Sequence, residues 1–300
     1  MKKTLNSLSI LGAGRVGRAL GRLLRGLGWK IDAVVTCSEA SACRAVRFIG
    51  AGKPHAGMTR QILGARVILI AVPDDAIAGV AQELARTGAE ELRGKIVLHT
   101  SGALDAGVLG IVKAQGAVVG SLHPLQSFSG VTVPALEGRV FAVEGDVLAV
   151  RMARRIARSL GGSPVRIPGK KALYHAAAAM AAGQVLAVEE ASSQLLVSLG
   201  MTRREAVRAL LPLTRQVLEN YERFGPRAAW TGPLSRRDYN IVRVHLKALR
   251  EAPPEFASSY QAINRLAARV LAQDTGGMLA ELEKISVQEK PKVKAKGHSA

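Results

Sequence analysis

Short, almost uninterrupted apolar runs alternate in the first half of the chain with stretches in which apolar residues return every three or four positions. The first run, Ser9-Ile10-Leu11, passes through Gly12-Ala13-Gly14-Arg15-Val16-Gly17 into the helical pattern Arg18-Ala19-Leu20-Gly21-Arg22-Leu23-Leu24. Runs at residues 29–36, 65–75, 95–99, 116–121, 139–144 and 163–168 read as strands, and residues 146–160 as a helix. The run at 65–75 is apolar almost to its closing turn, the pattern of a parallel strand covered on both faces. Such alternation predicts an α/β fold, a Rossmann-type doubly wound parallel sheet. Beyond Gly169 the texture becomes helical throughout, at 171–199, 203–224, 238–251 and 254–273. The expected organisation is a nucleotide-binding domain over residues 1–168, an all-helical substrate and dimerisation domain over 169–286, and a disordered, Lys-rich tail over 287–300.

The strand–glycine–helix passage is the arrangement that holds a dinucleotide pyrophosphate. Gly12 permits a tight turn, Gly14 lets backbone approach phosphate, and Gly17 lets helix and strand pack, with Ala13, Arg15 and Val16 between them. Free N–H groups at the helix start then face the anion. The second strand ends at Thr36-Cys37-Ser38, where nicotinamide cofactors are distinguished. Ser38, with Arg15 and Arg44, suits the extra phosphate of NADP, whereas Glu39 leaves NAD open. Val72, Pro73 and Asp74 follow the 65–75 strand, and topology brings them to the cofactor. Asp74 or Asp75 equally suits an N-cap for a helix from Ala76.

Composition narrows the classes. The 300 residues include no apolar run long enough to span a bilayer and no leader-like start, so a cytoplasmic protein without membrane association is expected. Cys37 and Cys43 are too few for a disulfide framework, and no metal-ligand spacing is present. The formal charge of +19 invites a nucleic-acid reading. The arginines, however, are spread along helices at 15, 18, 22, 25, 151, 154, 155 and 158 with few aromatics between them. A basic field around a polyanionic cofactor and a small anionic substrate accounts for the charge without nucleic acid.

Two strands in succession deliver polar residues to one edge: His99-Thr100-Ser101, then Ser121-Leu122-His123-Pro124-Leu125-Gln126. His99 suits a structural hydrogen bond. For His123 a substrate contact and a structural role stay open, and Ser101 and Gln126 are further candidates to bind a substrate carboxylate.

Three motifs carry a resemblance: Ser121-Leu122-His123-Pro124-Leu125-Gln126-Ser127-Phe128, Lys171-Ala172-Leu173-Tyr174-His175-Ala176-Ala177, and Trp230-Thr231-Gly232-Pro233-Leu234-Ser235-Arg236-Arg237-Asp238. In these the chain resembles the two-domain bacterial proteins that join a Rossmann-like domain to the domain of unknown function numbered 2520. That family is similar in plan to pyrroline-5-carboxylate reductase, ketopantoate reductase, prephenate dehydrogenase, the deazaflavin-dependent NADP reductase and 6-phosphogluconate dehydrogenase. The resemblance implies an NAD(P)-linked oxidoreductase, often dimeric through its helical domain, with a catalytic Lys on the first interdomain helix. Lys171 and His175, four apart on one helix face, are the matching candidates, and Asp238 would orient a cation. The expected reaction is NADP-dependent reduction of a small carboxylate-bearing carbonyl or imine, a 2-oxo acid such as ketopantoate first. The chain departs from the family twice. Gly183-Gln184 stands where an Asn is expected, and Arg237 replaces the Gly of Arg-Gly-Asp. A nucleotide-binding regulator or scaffold without turnover is the alternative.

Overall fold

The computed structural model describes residues 6–167 and 169–288. The chain divides into two compact units, Met1–Gly183 and Gln184–Ala300. The expected boundary after residue 168 falls at a residue outside those described, and the first unit continues through the following helix to Gly183.

The first unit runs β1 (Ser7–Leu11), α1 (Arg15–Gly26), β2 (Lys30–Thr36), α2 (Glu39–Ile49), β3 (Lys53–Ala56), β4 (Val67–Ile70), α3 (Ile77–Thr87), β5 (Ile96–His99), α4 (Gly110–Ala114), β6 (Val118–Pro124), β7 (Val140–Gly145), α5 (Val147–Ser159), β8 (Ser163–Arg166) and α6 (Lys171–Ala179). Its strands form one sheet in the order β3-β2-β1-β4-β5-β6-β7-β8. All neighbours are parallel except β6 and β7. The stretch 3-2-1-4-5-6 is the doubly wound order that the strand–helix alternation predicts.

Alternate residues of the strands supply two cores. On one face Leu20 and Leu24 of α1 and Met152 and Ile156 of α5 pack on Leu8, Ile10, Leu98 and Phe141. On the other, Ile77, Ala81 and Leu84 of α3 and Val112 of α4 meet Leu11, Ile68, Ile70, Val97 and Val119. Burial on both faces explains the nearly continuous apolar runs.

The structure corrects the pattern in places. β3, Lys53-Pro54-His55-Ala56, has no apolar signature because it is the edge strand, where Pro and charge are tolerated. β6 does not stop at Ser121 but runs through His123 to Pro124, because β7 returns antiparallel and pairs Ala142 with His123. Neither Asp74 nor Asp75 caps a helix with its side chain. They open a short 3-10 turn, Asp74–Ala76, whose N-cap is Pro73.

The second unit contains α7 (Val185–Ser198), α8 (Arg203–Ala229), α9 (Tyr239–Ala248), α10 (Pro254–Val270) and α11 (Thr275–Gln288). Its core gathers Leu234, Val242, Leu246, Ala268, Met278, Leu282 and Ile285. A capping box between Thr202 and Glu205 starts α8. The expected end of that helix, at 224, is where it kinks: Gly225 takes φ 80° ahead of Pro226. Residues 287 and 288, expected in the tail, are the last of α11, and residues 289–300 lie outside the described residues. The expected helix over 171–199 is interrupted by a π-helical turn, Met180–Gln184, which contains Gly183. Within the single chain only Lys171 of α6 and Ser193 of α7 are buried. Among the described residues, no helix is long and apolar enough to cross a membrane.

Candidate active site

The glycine turn follows β1 directly. Gly12 has φ 84°, and a Cβ there would sit 2.5 Å from Val72 Cγ1 and 2.7 Å from Ala71 O, so only glycine fits. A Cβ on Gly17 would strike Gly12 O, which explains its need for close helix–turn packing. Gly14 faces open space. It is the N-cap of α1, has no side-chain cap bond, and no acidic residue occupies the first turn. These N–H groups therefore remain available to an anion, and the residues present fit a dinucleotide pyrophosphate. Ala13 and Val16 pack against the first core, and Arg15 is exposed beside the turn. The loop after β6 returns here, where Arg18 Nη2 donates to Gly130 O at 2.6 Å.

At the end of β2, Thr36 Oγ1 donates to Ser38 O at 2.8 Å, and Ser38 caps α2 through its hydroxyl. Ser38 Oγ also meets Ser41 Oγ at 3.0 Å, which accepts from Arg44 Nη2 at 2.9 Å. Two hydroxyls and a guanidinium thus cluster where an additional ribose phosphate is expected, while Glu39 begins the helix. Val72, beyond β4, touches the position above Gly12, and Pro73 and Asp74 continue the same edge.

A second cluster forms where α6 meets β5, β6 and β7. The sheet register places His99, Ser121 and Glu144 in one row across three adjacent strands. Ser121 Oγ donates to Glu144 Oε1 at 3.0 Å. Into this row comes Lys171, 4% exposed, whose Nζ donates to Ser101 O and to Ser121 Oγ, each at 2.9 Å, and lies 3.9 Å from Glu144 Oε1. Burial lowers its pKa to about 8, against the opposing pull of Glu144, Asp105 and Asp74. Lys170, the N-cap of α6, lies in the left-handed region at φ 45°.

His175, one turn on, faces the same edge. A Cβ on Gly102 would lie 2.5 Å from His175 Cδ2 and 2.8 Å from His123 Nε2, so both rings sit directly on that glycine. The His123 and His175 rings meet edge to face with centroids 5.7 Å apart. His123 Nδ1 and Tyr174 Oη are 3.0 Å apart. Burial, then His175 and Lys171, lower His123 to about 4, so its imidazole is neutral. Burial raises the Tyr174 phenol, which keeps it protonated beside Nδ1.

His99 is fully buried, and burial lowers its pKa to about 4. Its neutral ring accepts from Ser101 N through Nδ1 and donates through Nε2 to Asp105 O, each at 3.2 Å. It is structural, as expected. The Ser101 hydroxyl accepts from Ala103 N and Leu104 N, which leaves its O–H as the group it has to offer a substrate. Its carbonyl holds Lys171. Gln126 is likewise committed to its own loop, through Ala135 O and Ser127 N. Asp238, in the second unit, caps α9 by accepting from Ile241 N at 3.3 Å. Arg237 before it takes φ 60°, the conformation the missing glycine would adopt freely. A Cβ on Gly183 would meet open space. Among the described residues, no group of three or more His, Cys, Asp or Glu is arranged to hold a metal.

Glu144 and Tyr174 were not singled out from the sequence. Their signal was present: β5, β6 and β7 are apolar strands in which one polar residue recurs near the same sheet level, and Tyr174 sits between the two candidates of α6.

Comparison with known proteins agrees with this organisation. No curated protein matches the sequence. In fold the chain is similar to a Bacteroides fragilis structure provisionally named an NADP oxidoreductase, at 20% identity, TM-score 0.72, covering 87% of this chain and 96% of that one. It is also similar to an imine reductase from Pseudomonas, at 18% identity, TM-score 0.64 and coverage of 94% and 99%. A reductive aminase from Aspergillus terreus in complex with NADPH and ethyl-5-oxohexanoate matches at 16% identity, TM-score 0.60 and coverage of 96% and 95%. Residues 1–124 match the Rossmann-like domain, and residues 139–267 match the domain of unknown function DUF2520. The chain thus joins a Rossmann-like domain to a DUF2520 domain.

Proposed function

We propose that the protein is an NADP-dependent reductase of a small, carboxylate-bearing carbonyl or imine, with a 2-oxo acid such as ketopantoate as first choice and a cyclic imine second. The observation that carries this reading is Lys171: a buried amine with a pKa near neutrality, at the carboxyl end of the sheet where doubly wound folds bind their ligands. Bound NADPH supplies the hydride. The chain must supply positive charge or a proton to the oxygen or nitrogen that accumulates charge. Lys171 does this as an ammonium, and a pKa of about 8 leaves it mostly charged yet able to give up a proton at neutral pH. Neutral His123 and the Tyr174 phenol position a polar substrate beside it, and His175 closes the cluster over Gly102. The Ser38–Ser41–Arg44 group favours NADP over NAD. The names of the similar structures, imine reductase and reductive aminase, support the same class of chemistry.

A homodimer accompanies this reading in a cytoplasmic protein. Leu173 of α6 is 67% exposed, and Leu186, Leu213, Leu218 and Phe224 of the second unit are each more than half exposed. Apolar surface of this extent is stabilised by a second copy, and sedimentation velocity measures the mass directly.

The test of function is a fluorescence titration with NADPH and NADH, followed by 2-oxo acids and cyclic imines with the reduced-nicotinamide absorbance monitored. Tighter NADPH binding and oxidation by one panel member is the expected result. Binding with no turnover by any member would favour the regulator, and failure to bind either cofactor would sink the cofactor reading.

A further inference from the structure

The arginines of α5 do not surround the glycine turn. They lie on α5, which packs across β5, β6, β7 and β8, and their neighbours are Gly145 at the end of β7 and Arg166 of β8, whereas the glycine turn follows β1. Nor do they share a face with Lys171. A Cβ on Gly120 would touch Ala149 of α5 at 2.9 Å, so Gly120 faces α5 and its neighbour Ser121 faces the opposite way. On the α5 side, Arg151, Arg154, Arg158 and Arg166 line a cavity of about 370 Å³, with Val147 and Val150 as its apolar wall. The first three are spaced three and four residues apart, which aligns them along about 10 Å of one helix face. Arg166 joins from β8, whose register sets it opposite Val143, a residue of the core under α5.

Among the described residues, none of the four pairs with a carboxylate. The nearest acid in sequence, Asp146, is already held by Lys113 Nζ at 2.6 Å and Val119 N at 3.0 Å. Four arginines line one open cavity that offers them no carboxylate, with Arg151, Arg158 and Arg166 exposed to solvent. Bringing like charges together raises the energy of the empty site, and an anion that spans them lowers it. Guanidinium forks match phosphate oxygens in pairs. No aromatic side chain lines the cavity, so a nucleobase finds no stacking platform.

We propose that this cavity is a second anion site, separate from the dinucleotide site, for a ligand carrying two or three linked phosphates. The phosphate chain comes either from an inorganic oligophosphate or from the tail of a nucleotide.

Calorimetric titration of the full chain, saturated with NADPH, with inorganic tripolyphosphate, ATP and sulfate at matched ionic strength tests this. Tripolyphosphate is expected to bind without displacing NADPH, and sulfate more weakly. Equal affinity for ATP identifies the phosphate chain alone as the ligand, whereas tighter ATP binding identifies a nucleotide. R154E/R158E should weaken tripolyphosphate at least about tenfold, because two charge-assisted contacts are lost. R204E/R208E, the same charge change on exposed α8, should change it less than about twofold. Circular dichroism and melting temperature verify that both variants fold. Equal losses in the two variants would reduce the effect to the general basic field. No binding, or competition with NADPH, would overturn the site. If NADPH itself does not bind, the same titrations on the free chain still decide the cavity, and the cofactor reading fails separately.

Discussion

Two lysines are buried at opposite ends of β5, and their hydrogen bonds differ in kind. Lys95, 5% exposed, precedes the strand and donates to the backbone carbonyls of Leu63 and Ala65, the latter at 2.6 Å. Lys171, 4% exposed, reaches the turn after the strand and divides its bonds between a carbonyl and the Ser121 hydroxyl, with the Glu144 carboxylate behind it. Carbonyls cannot exchange protons, so the Lys95 bonds tie one loop to the sheet. The partners of Lys171 include groups that titrate and neighbours that donate and accept. Burial alone therefore does not mark a lysine as functional; the company it keeps does.

Substitution separates the two most sharply. Lys171→Ala should lower kcat per folded molecule by about 10²–10⁴-fold while NADPH affinity stays close to that of the parent. Lys95→Met should leave turnover intact and show its effect in stability alone. It leaves two buried carbonyls without that donor, which costs about 2–4 kcal/mol in urea unfolding, while kcat per folded molecule is retained. Equal loss of turnover in both variants would remove the distinction.

The contrast also shows what the sequence could carry. The Gly12–Gly17 turn and the strand–helix alternation behind the doubly wound order were legible because they depend on local spacing, a turn and a period. Lys171 and His175, by contrast, were named through the family resemblance, their four-residue spacing adding only that they share a helix face. The row His99, Ser121 and Glu144 was not read, since it exists only once β7 has turned antiparallel to β6 and fixed the register. That reversal is also why His123 lies within a strand rather than beyond its end. The engagement of Ser101 and Gln126 in their own turns was not legible for a related reason. A short polar side chain in a turn competes for its own backbone, and here the turn wins. The arginines of α5 had no visible relation to Arg166 until β8 paired with β7.

The second comparison within the site is between its neutral and charged members. Burial holds the His99 imidazole at a folded-state pKa of about 4, below the ordinary imidazole value of 6.5. The unfolded chain therefore binds more protons between those values. Stability rises with pH across that window and is lost as acidification proceeds from 6.5 to 4, by up to about 3 kcal/mol for this residue. His99→Gln keeps a donor for Asp105 O but cannot titrate. Its unfolding free energy, measured in urea at pH 4.5 and 6.5, should change less between the two than that of the parent. An unchanged difference would place the acid sensitivity elsewhere.

The smallest expected effect probes how Lys171 holds its proton. Its pKa is lowered to about 8 by burial, and Glu144 is the first of the groups that oppose the lowering. If the ammonium is the active form, turnover falls as pH rises through about 8. Glu144→Gln removes the opposing charge but retains an acceptor for Ser121 Oγ, so the Lys171 pKa drops further and this basic limb moves to lower pH, by about one unit. Turnover on the acidic plateau, where the amine is charged in both proteins, should be nearly preserved. Ser121→Ala breaks the hydroxyl bridge yet leaves the carboxylate 3.9 Å from Nζ, and should move the limb less. A merely structural Glu144 would lower turnover evenly at every pH. A shifted limb with an intact plateau instead identifies the carboxylate as the group that keeps this buried lysine charged.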